Sequence, residues 1–140
     1  MAWLLDTNIL SELRKPNPTL RVVDFVANSP LLDLHISEVT LAEIRFGIQR
    51  LADPIREKEL NHWLEQRIRP MFEGRVLPIT EEIMLKWRIL VEDGRKAGHT
   101  YSQPDLIIAA TAVHHGLTVV TRDRKEFDRA GVAALNPWTD

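Results

Sequence analysis

Two hydrophobic periods alternate along the chain. Ala2 to Leu5 is a short unbroken apolar run, which reads as a strand buried on both faces and ending at Asp6. Thr7 or Asn8 is then placed to cap a helix through Leu13, interrupted by Pro16 and Pro18. Leu20, Val23, Val26 and Ala27 share one face of a second helix, closed by the turn Asn28-Ser29-Pro30. Leu31 to Ile36 is the next strand candidate. Ser37 sits where an N-cap belongs, ahead of the stripe Leu41, Ile44, Ile48 and Leu51. Glu43 lies off that stripe, on the side of Val39, Phe46 and Gly47. Asp53-Pro54 opens a further helix that turns Leu60, Trp63, Leu64, Ile68 and Met71 inward and ends at Gly74.

Val76 to Ile79 reads as a short strand, and Pro78 predicts an edge or a strand end rather than mid-ladder pairing. Thr80-Glu81-Glu82 starts a helix buried through Ile83, Trp87, Leu90 and Val91, its acids well placed against the helix dipole. Gly94 to Gln103 is polar with two glycines and predicts a fraying helix end and a surface loop. Pro104-Asp105 begins a strongly apolar helix over Leu106 to Val113, closed by Gly116. Leu117 to Thr121 is the clearest strand and ends at Arg122-Asp123. Phe127 anchors a short helical segment, and Val132 to Leu135 adds a last strand. Strands alternating with helices predict an α/β fold: one domain over residues 1–140, with a central parallel sheet of four to five strands flanked by helices. In such sheets ligands bind beyond the carboxyl ends of the strands, near a reversal in strand order.

Composition narrows the class. The 140 residues are enough to bury one core, and 44% hydrophobic with 27% charged residues fits a globular chain. A net charge of −2 argues against a broadly basic nucleic-acid coat, though it leaves room for an enzyme with a local basic groove. There is no cysteine, so disulfides and thiolate zinc sites are excluded. No secretory signal and no run of the roughly 20 apolar residues that span a bilayer is present. The expectation is a cytoplasmic protein that does not engage a membrane.

The chemistry lies in four acids. Asp6 and Asp123 each sit at or just past the C-terminal end of an apolar strand, and right-handed crossovers bring those ends to one sheet edge. Asp105 occupies the first turn of the helix that leaves the same edge. Glu43 lies about two turns into its helix and reaches the edge only if that helix leans over it. Each acid alone has an ordinary explanation: a cap for Asp6, a solvated surface charge for Glu43, dipole stabilisation for Asp105, a turn for Asp123. Their joint placement outweighs these. Acids gathered in one crevice raise one another's pKa, and a divalent cation relieves that cost. Oxygen ligands suit Mg²⁺ or Mn²⁺ rather than zinc, and the chemistry that follows is phosphodiester hydrolysis. Thr7, Asn8 and Thr121 stand where they can orient the carboxylates, a role compatible with helix capping by the first two. His114-His115 falls at a helix C-terminus, away from the acids. Arg14, Lys15, Arg45, Arg50, Arg122 and Arg124 are candidate phosphate contacts. The low aromatic content gives little sign of a base-stacking platform.

The segments Leu4-Leu5-Asp6-Thr7-Asn8-Ile9-Leu10-Ser11-Glu12-Leu13, Ile36-Ser37 through Glu43-Ile44-Arg45-Phe46-Gly47-Ile48, Pro104-Asp105 through Ala109-Ala110-Thr111-Ala112, and His115-Gly116 through Thr121-Arg122-Asp123 resemble PIN-domain proteins. Within that family they resemble the VapC-type toxins of bacterial toxin–antitoxin pairs, in the FitB-like branch. The resemblance covers essentially the whole chain and keeps the order and spacing of the motifs. It implies a Mg²⁺-dependent endoribonuclease, a homodimer, and a cognate antitoxin that occludes the acidic cleft. It assigns Asp6, Glu43, Asp105 and Asp123 to the catalytic and metal-binding cluster, with Asp6 and Asp105 as direct ligands and Thr7, Asn8 and Thr121 as supporting polar positions. Two departures stand out: Asp123 where FitB-like members often carry Asn, and Leu106 where a small residue is usual.

Two other readings were weighed. A catalytically silent PIN module would be free to lose Asp105 or Glu43, and this chain keeps both. A phosphotransferase with Asp6 as nucleophile wants a second Asp two residues on, where Asn8 stands; a phosphate receiver wants a Lys nearer the Leu117 strand than Lys125.

Overall fold

In the computed structural model, which describes residues 1–140, the first apolar run forms strand β1 (Trp3–Leu5). It pairs in parallel with β2 (Leu34–Ser37) on one side. Beyond β2 lies β3 (Val76–Leu77). On its other side β1 pairs with β4 (Thr118–Val120), which pairs in turn with β5 (Ala134–Leu135). The order is β3-β2-β1-β4-β5, all parallel. The chain therefore builds outward from β1 to one edge, then returns to β1 and builds to the other. The reversal falls between β1 and β4, and the carboxyl ends of two such strands form the crevice where sheets of this kind bind ligands.

Seven helices make the connections: α1 (Thr7–Leu13), α2 (Leu20–Asn28), α3 (Glu38–Gln49), α4 (Pro54–Trp63), α5 (Glu81–Lys96), α6 (Gln103–His115) and α7 (Arg124–Arg129). Side chains alternate across β1 and β4 as a strand requires. Leu5 and Val120 enter a core with Ile9, Leu10, Leu34, Ile36, Ile44 and Ile48 on one face. Leu4 and Val119 enter a second core with Val39, Ile108, Ala109, Ala112 and Phe127 on the other. The sheet is covered on both sides, which is why its strands read as unbroken apolar runs.

The caps follow the sequence closely. Ser37, Asp53 and Thr80 each accept a backbone N–H at the start of their helix, and Gly116 closes α6 at φ +66°. Several details differ from expectation. α1 is capped by Asp6 itself, whose carboxylate accepts from Thr7 N–H; Thr7 and Asn8 lie inside the helix. Leu31–Asp33 is a 3-10 turn rather than strand, because Pro30 presets its entry and accepts the Asp33 N–H at 2.9 Å. α4 continues through a wide π stretch, Leu64–Ile68, into a final turn, Arg69–Met71. Pro70 has no N–H for the ladder, and the Arg69 N–H reaches Leu64 O just before it.

The largest departure concerns the polar segment after residue 94. α5 persists to Lys96, and Tyr101 folds back into a buried position against Gly94. A methyl group at Gly94 would lie 2.6 Å from a Tyr101 ring carbon and 3.0 Å from His99 O. Hydrophilic composition hid a packed aromatic anchor. On α5 itself Ile83 and Gly94 are the buried residues, with Trp87, Leu90 and Val91 half-buried. Trp87 Nε1 donates to Gln103 Oε1 at 2.9 Å, tying α5 to the start of α6. No helix is long and apolar enough to cross a membrane.

Candidate active site

The crevice between β1 and β4 is lined by residues that leave those strands. Thr121, directly after β4, is fully buried. Its hydroxyl donates to Asp6 Oδ2 at 2.8 Å and accepts from Asp123 N–H at 3.0 Å and Asn8 Nδ2 at 3.3 Å. One donor and two acceptor sites are all a hydroxyl has, so Thr121 is saturated and its rotamer fixed. Asp6, 5% exposed, also accepts from Thr7 N–H at 2.7 Å and Asn8 Nδ2 at 3.4 Å. Asn8 completes the frame by accepting Arg122 N–H at 3.2 Å. The two strand ends are thus stitched together through side chains that hold one carboxylate in a single orientation.

The other acids close on this frame. α3 leans far enough for Thr7 Oγ1 to donate to Glu43 Oε1 at 3.3 Å. Asp105 occupies the first turn of α6, and Asp123 precedes α7 without capping it through its side chain. The carboxyls sense one another. Burial pushes Asp6 above its ordinary pKa, with Asp123 adding to the effect against the lowering hydrogen bonds from Thr121 and Thr7. Glu43 is raised by burial and by Asp6. Asp105 is pushed up to about 6, by burial first and then by Asp6, Asp123, Glu43 and Glu126. A helix N-terminus favours a carboxylate by about 0.3–1 kcal/mol. At Asp105 burial and the neighbouring acids overcome that preference.

The other three sequence-derived acids therefore come within electrostatic reach of Asp105, with Thr7 linking Asp6 to Glu43 and Thr121 linking Asp6 to the Asp123 backbone. No three carboxylates or imidazoles stand close enough to form a ready-made metal cage. A small hard cation takes one or two carboxylates directly and keeps several waters, so Asp6 and Asp105 would fit it without such a cage. The loop carrying Asp123 is held from behind. Asn136 Nδ2 donates to Arg122 O at 3.2 Å, the Arg122 guanidinium lies 5.1 Å from the Trp138 ring centre, and Arg124 pairs with Asp128 and Asp140.

The basic candidates divide. Lys15 is occupied by Glu12 at 2.9 Å, and Arg124 by its two aspartates. Arg50 lies over Phe46, with 5.4 Å to the ring centre. Arg14 lines a groove of about 170 Å³ that begins at Thr7 and Glu43 and runs toward Leu60 and Trp63. Burial, then the nearby Arg56, lowers the Arg14 pKa, so this rim carries concentrated positive charge. His114 and His115 are exposed and pack edge-to-face on each other.

Three residues escaped the sequence reading. Glu126 is a fifth acid within electrostatic reach of Asp105, and its place three residues after Asp123, one helical turn away, was the available signal. His99, in the polar segment, bonds Glu126 Oε2 through Nε2 at 3.1 Å. Glu12 is buried where the α1 pattern suggests a surface acid. It accepts from Thr19 N–H at 2.8 Å, Lys15 Nζ at 2.9 Å and Thr19 Oγ1 at 3.1 Å, and the first two hold it down to about 2. It ties the Pro16–Pro18 turn to α1.

Comparison with known proteins agrees with this architecture. Toxin FitB of Neisseria gonorrhoeae is 40% identical over 137 residues, covering 98% of this chain and 99% of the relative. A VapC ribonuclease of Sinorhizobium fredii is 36% identical over 135 residues, 96% of each chain. The crystal structure of FitAcB from Neisseria gonorrhoeae superposes with a TM-score of 0.92 at 39% identity, covering 99% of both chains. Residues 3–133 match the family described as PIN domain. With its strand order, its reversal point and its acids in the positions that fold provides, this chain belongs to the PIN-domain family.

Proposed function

We propose that this protein is the toxin of a bacterial toxin–antitoxin pair and a Mg²⁺-dependent endoribonuclease that hydrolyses RNA phosphodiester bonds at the Asp6, Glu43, Asp105, Asp123 cluster. The observation that carries the reading is the meeting of four carboxylates from four separate elements in the crevice between β1 and β4. Such a concentration of negative charge is costly unless a cation shares it. The toxin and ribonuclease names of the relatives, which this chain matches over nearly its full length, support the same activity.

Asp6 and Asp105 would hold the cation directly, with Glu43 and Asp123 completing its acidic surroundings. The donor set is all oxygen, which suits Mg²⁺ with Mn²⁺ as a substitute. When bound, the ion supplies Lewis acidity toward a phosphoryl oxygen and charge stabilisation for the leaving oxygen. The protein's own part is orientation. Thr121, Thr7 and Asn8 fix Asp6, and Thr7 fixes Glu43. Glu43, raised above its ordinary pKa by burial and by Asp6 and held by Thr7, is suited to take a proton from an attacking water. Arg14, at the groove rim, is the phosphate contact best placed to draw RNA toward the acids.

The partner is a cognate antitoxin that covers the acidic cleft, and the toxin acts as a homodimer in the cytoplasm. Structural neighbours include FitAB bound to a DNA fragment, with a TM-score of 0.91 at 38% identity, in which a relative of this chain stands with its companion protein. The silent-module alternative finds no support in a site that keeps every acid and every orienting group. The test is cleavage of structured RNAs by the purified protein with Mg²⁺ or Mn²⁺, with a chelator, and with Asp105→Asn. Activity is expected only with metal. Since substitutions behind metal ligands already cost about 10–100-fold, Asp105→Asn should fall beyond that range. Cleavage that survives both chelation and Asp105→Asn would refute the mechanism.

A further inference from the structure

A cavity of about 390 Å³ lies between the end of α5, the turn that follows it and the C-terminal end of α7, the helix that starts directly after Asp123. Its walls include Leu90, Asp93, Gly94, His99, Tyr101 and Arg129. The size lies within the range of small-molecule sites. Glu126 joins the cavity to the acid cluster: it influences Asp105 on one side and bonds His99 on the other.

The wall is pre-organised. Arg129 Nη1 lies 2.5 Å from His99 Nδ1 and 3.3 Å from His99 Nε2, and His99 Nε2 in turn bonds Glu126 Oε2 at 3.1 Å. Tyr101 packs edge-to-face on the same ring at 4.4 Å and is itself lodged against Gly94. The hydrogen bonds of Arg129 go only to this ring. Arg88, Arg95 and Arg124, by contrast, all sit in direct ion pairs with carboxylates. A guanidinium with no carboxylate partner, at the rim of a cavity with His99 and Tyr101 in its wall, matches a ligand with an anionic end and a flat body. Asp93 adds an acceptor suited to an exocyclic amine.

We propose that this cavity receives one unstacked nucleotide of the RNA strand flanking the scissile bond, its phosphate on Arg129 and its base against the His99–Tyr101 wall. The proposal rests on the ribonuclease reading above and adds a second contact point. A strand held both at Arg14 and at Arg129 has two anchor points outside the acid cluster. Recognition of RNA by splaying single bases onto aromatic surfaces beside a phosphate clamp is the usual route for single strands. Arg129 is on this account a binding residue that touches no reacting atom.

The test is steady-state cleavage of a fluorescent single-stranded RNA by wild type, Arg129→Ala, Arg129→Gln and Arg129→Lys over a range of salt, with thermal melts alongside. Loss of one phosphate contact should raise KM several-fold with kcat nearly unchanged, and should flatten the dependence of log(kcat/KM) on log salt by about 0.7. Arg129→Lys should restore the salt slope but only part of KM, since it keeps the charge and loses the fork. If the wild type cuts no RNA, the ribonuclease reading fails; anisotropy of the same RNA on the same four proteins then reads the cavity by its salt slope. Unaltered KM or affinity and an unaltered slope in both Arg129→Ala and Arg129→Gln, with unchanged melting, would overturn the proposal.

Discussion

Asp105→Asn does more than test catalysis, because the site stores repulsion when no cation is bound. Asp105 titrates at about 6 in the folded chain against 3.8 as a free side chain, through burial and then four acidic neighbours. Between those values the folded state holds a proton that the unfolded chain has lost. Stability therefore falls as pH rises through the window from about 4 to about 6, and the loss is complete at neutral pH. At 1.36 kcal/mol per unit the shift sets a ceiling of about 3 kcal/mol. Asp105 is only half-buried, and screening by solvent reduces the usable part to about 1 kcal/mol. Asparagine cannot ionise, so the metal-free variant should be more stable than wild type at pH 7.5 by that amount. For a chain of this length the gain is about 4 °C in Tm. The gap should close as pH falls toward 4.5. Asp6 and Glu43 shift in the same direction, so the variant keeps a weakened pH slope. The assay is thermal melting by circular dichroism in chelator at pH 4.5, 5.5, 6.5 and 7.5, repeated with Mg²⁺ at pH 7.5. Wild type should gain more from Mg²⁺ than the variant. A variant that melts below wild type at pH 7.5 in chelator, or a gap that does not change with pH, would refute this account of the crevice.

Other outcomes follow from the same geometry. Thr121→Val, nearly isosteric, removes a hydroxyl bonded to Asp6, Asn8 and Asp123; it should cost about 1.5–3 kcal/mol in urea denaturation and lower kcat, while Thr121→Ser keeps both. Gly94→Ala places a methyl against Tyr101 and should destabilise by about 1–3 kcal/mol, and the cost should shrink in a Tyr101→Leu background. Glu12, held down to about 2, contributes stability that is present above about 4.5 and lost as pH falls toward 2; Glu12→Gln should melt lower than wild type at pH 7 and converge with it in acid.

The site was legible because strand ends are legible. Leu4-Leu5-Asp6 and Val119-Val120-Thr121 break from apolar to polar in one step, and a parallel sheet brings such breaks to one edge. Glu43 was visible as a residue off the buried stripe of α3, but its reach depended on helix tilt, which no spacing encodes; the bond to Thr7 supplies the answer. The segment from Gly94 to Gln103 was misread for a different reason. One tyrosine among polar residues gives no period, and its burial depends on a glycine seven positions earlier having no side chain. Glu12 resembles a surface acid because Thr19, whose backbone and hydroxyl bond it, lies beyond a proline-rich turn whose path is not local information. Asp6 was placed correctly and its role divided too sharply: it is the helix cap and the centre of the acid cluster at once.

The strand order has a consequence for how the molecule fails under stress. β3 and β5, the two outer strands, pair over only two residues each, so the sheet frays from its margins. Asp6 and Thr121 extend the central strand β1 and its neighbour β4, which pair over three residues, and the Asp6 N–H is itself locked to Val120 O at 2.9 Å. Amide hydrogens around the crevice should therefore be among the last to exchange with solvent, opening only when the whole chain opens. Local breathing at the rim can admit or release a long, flexible ligand while the carboxylate frame keeps its shape, so loss of the frame and loss of the fold become a single event.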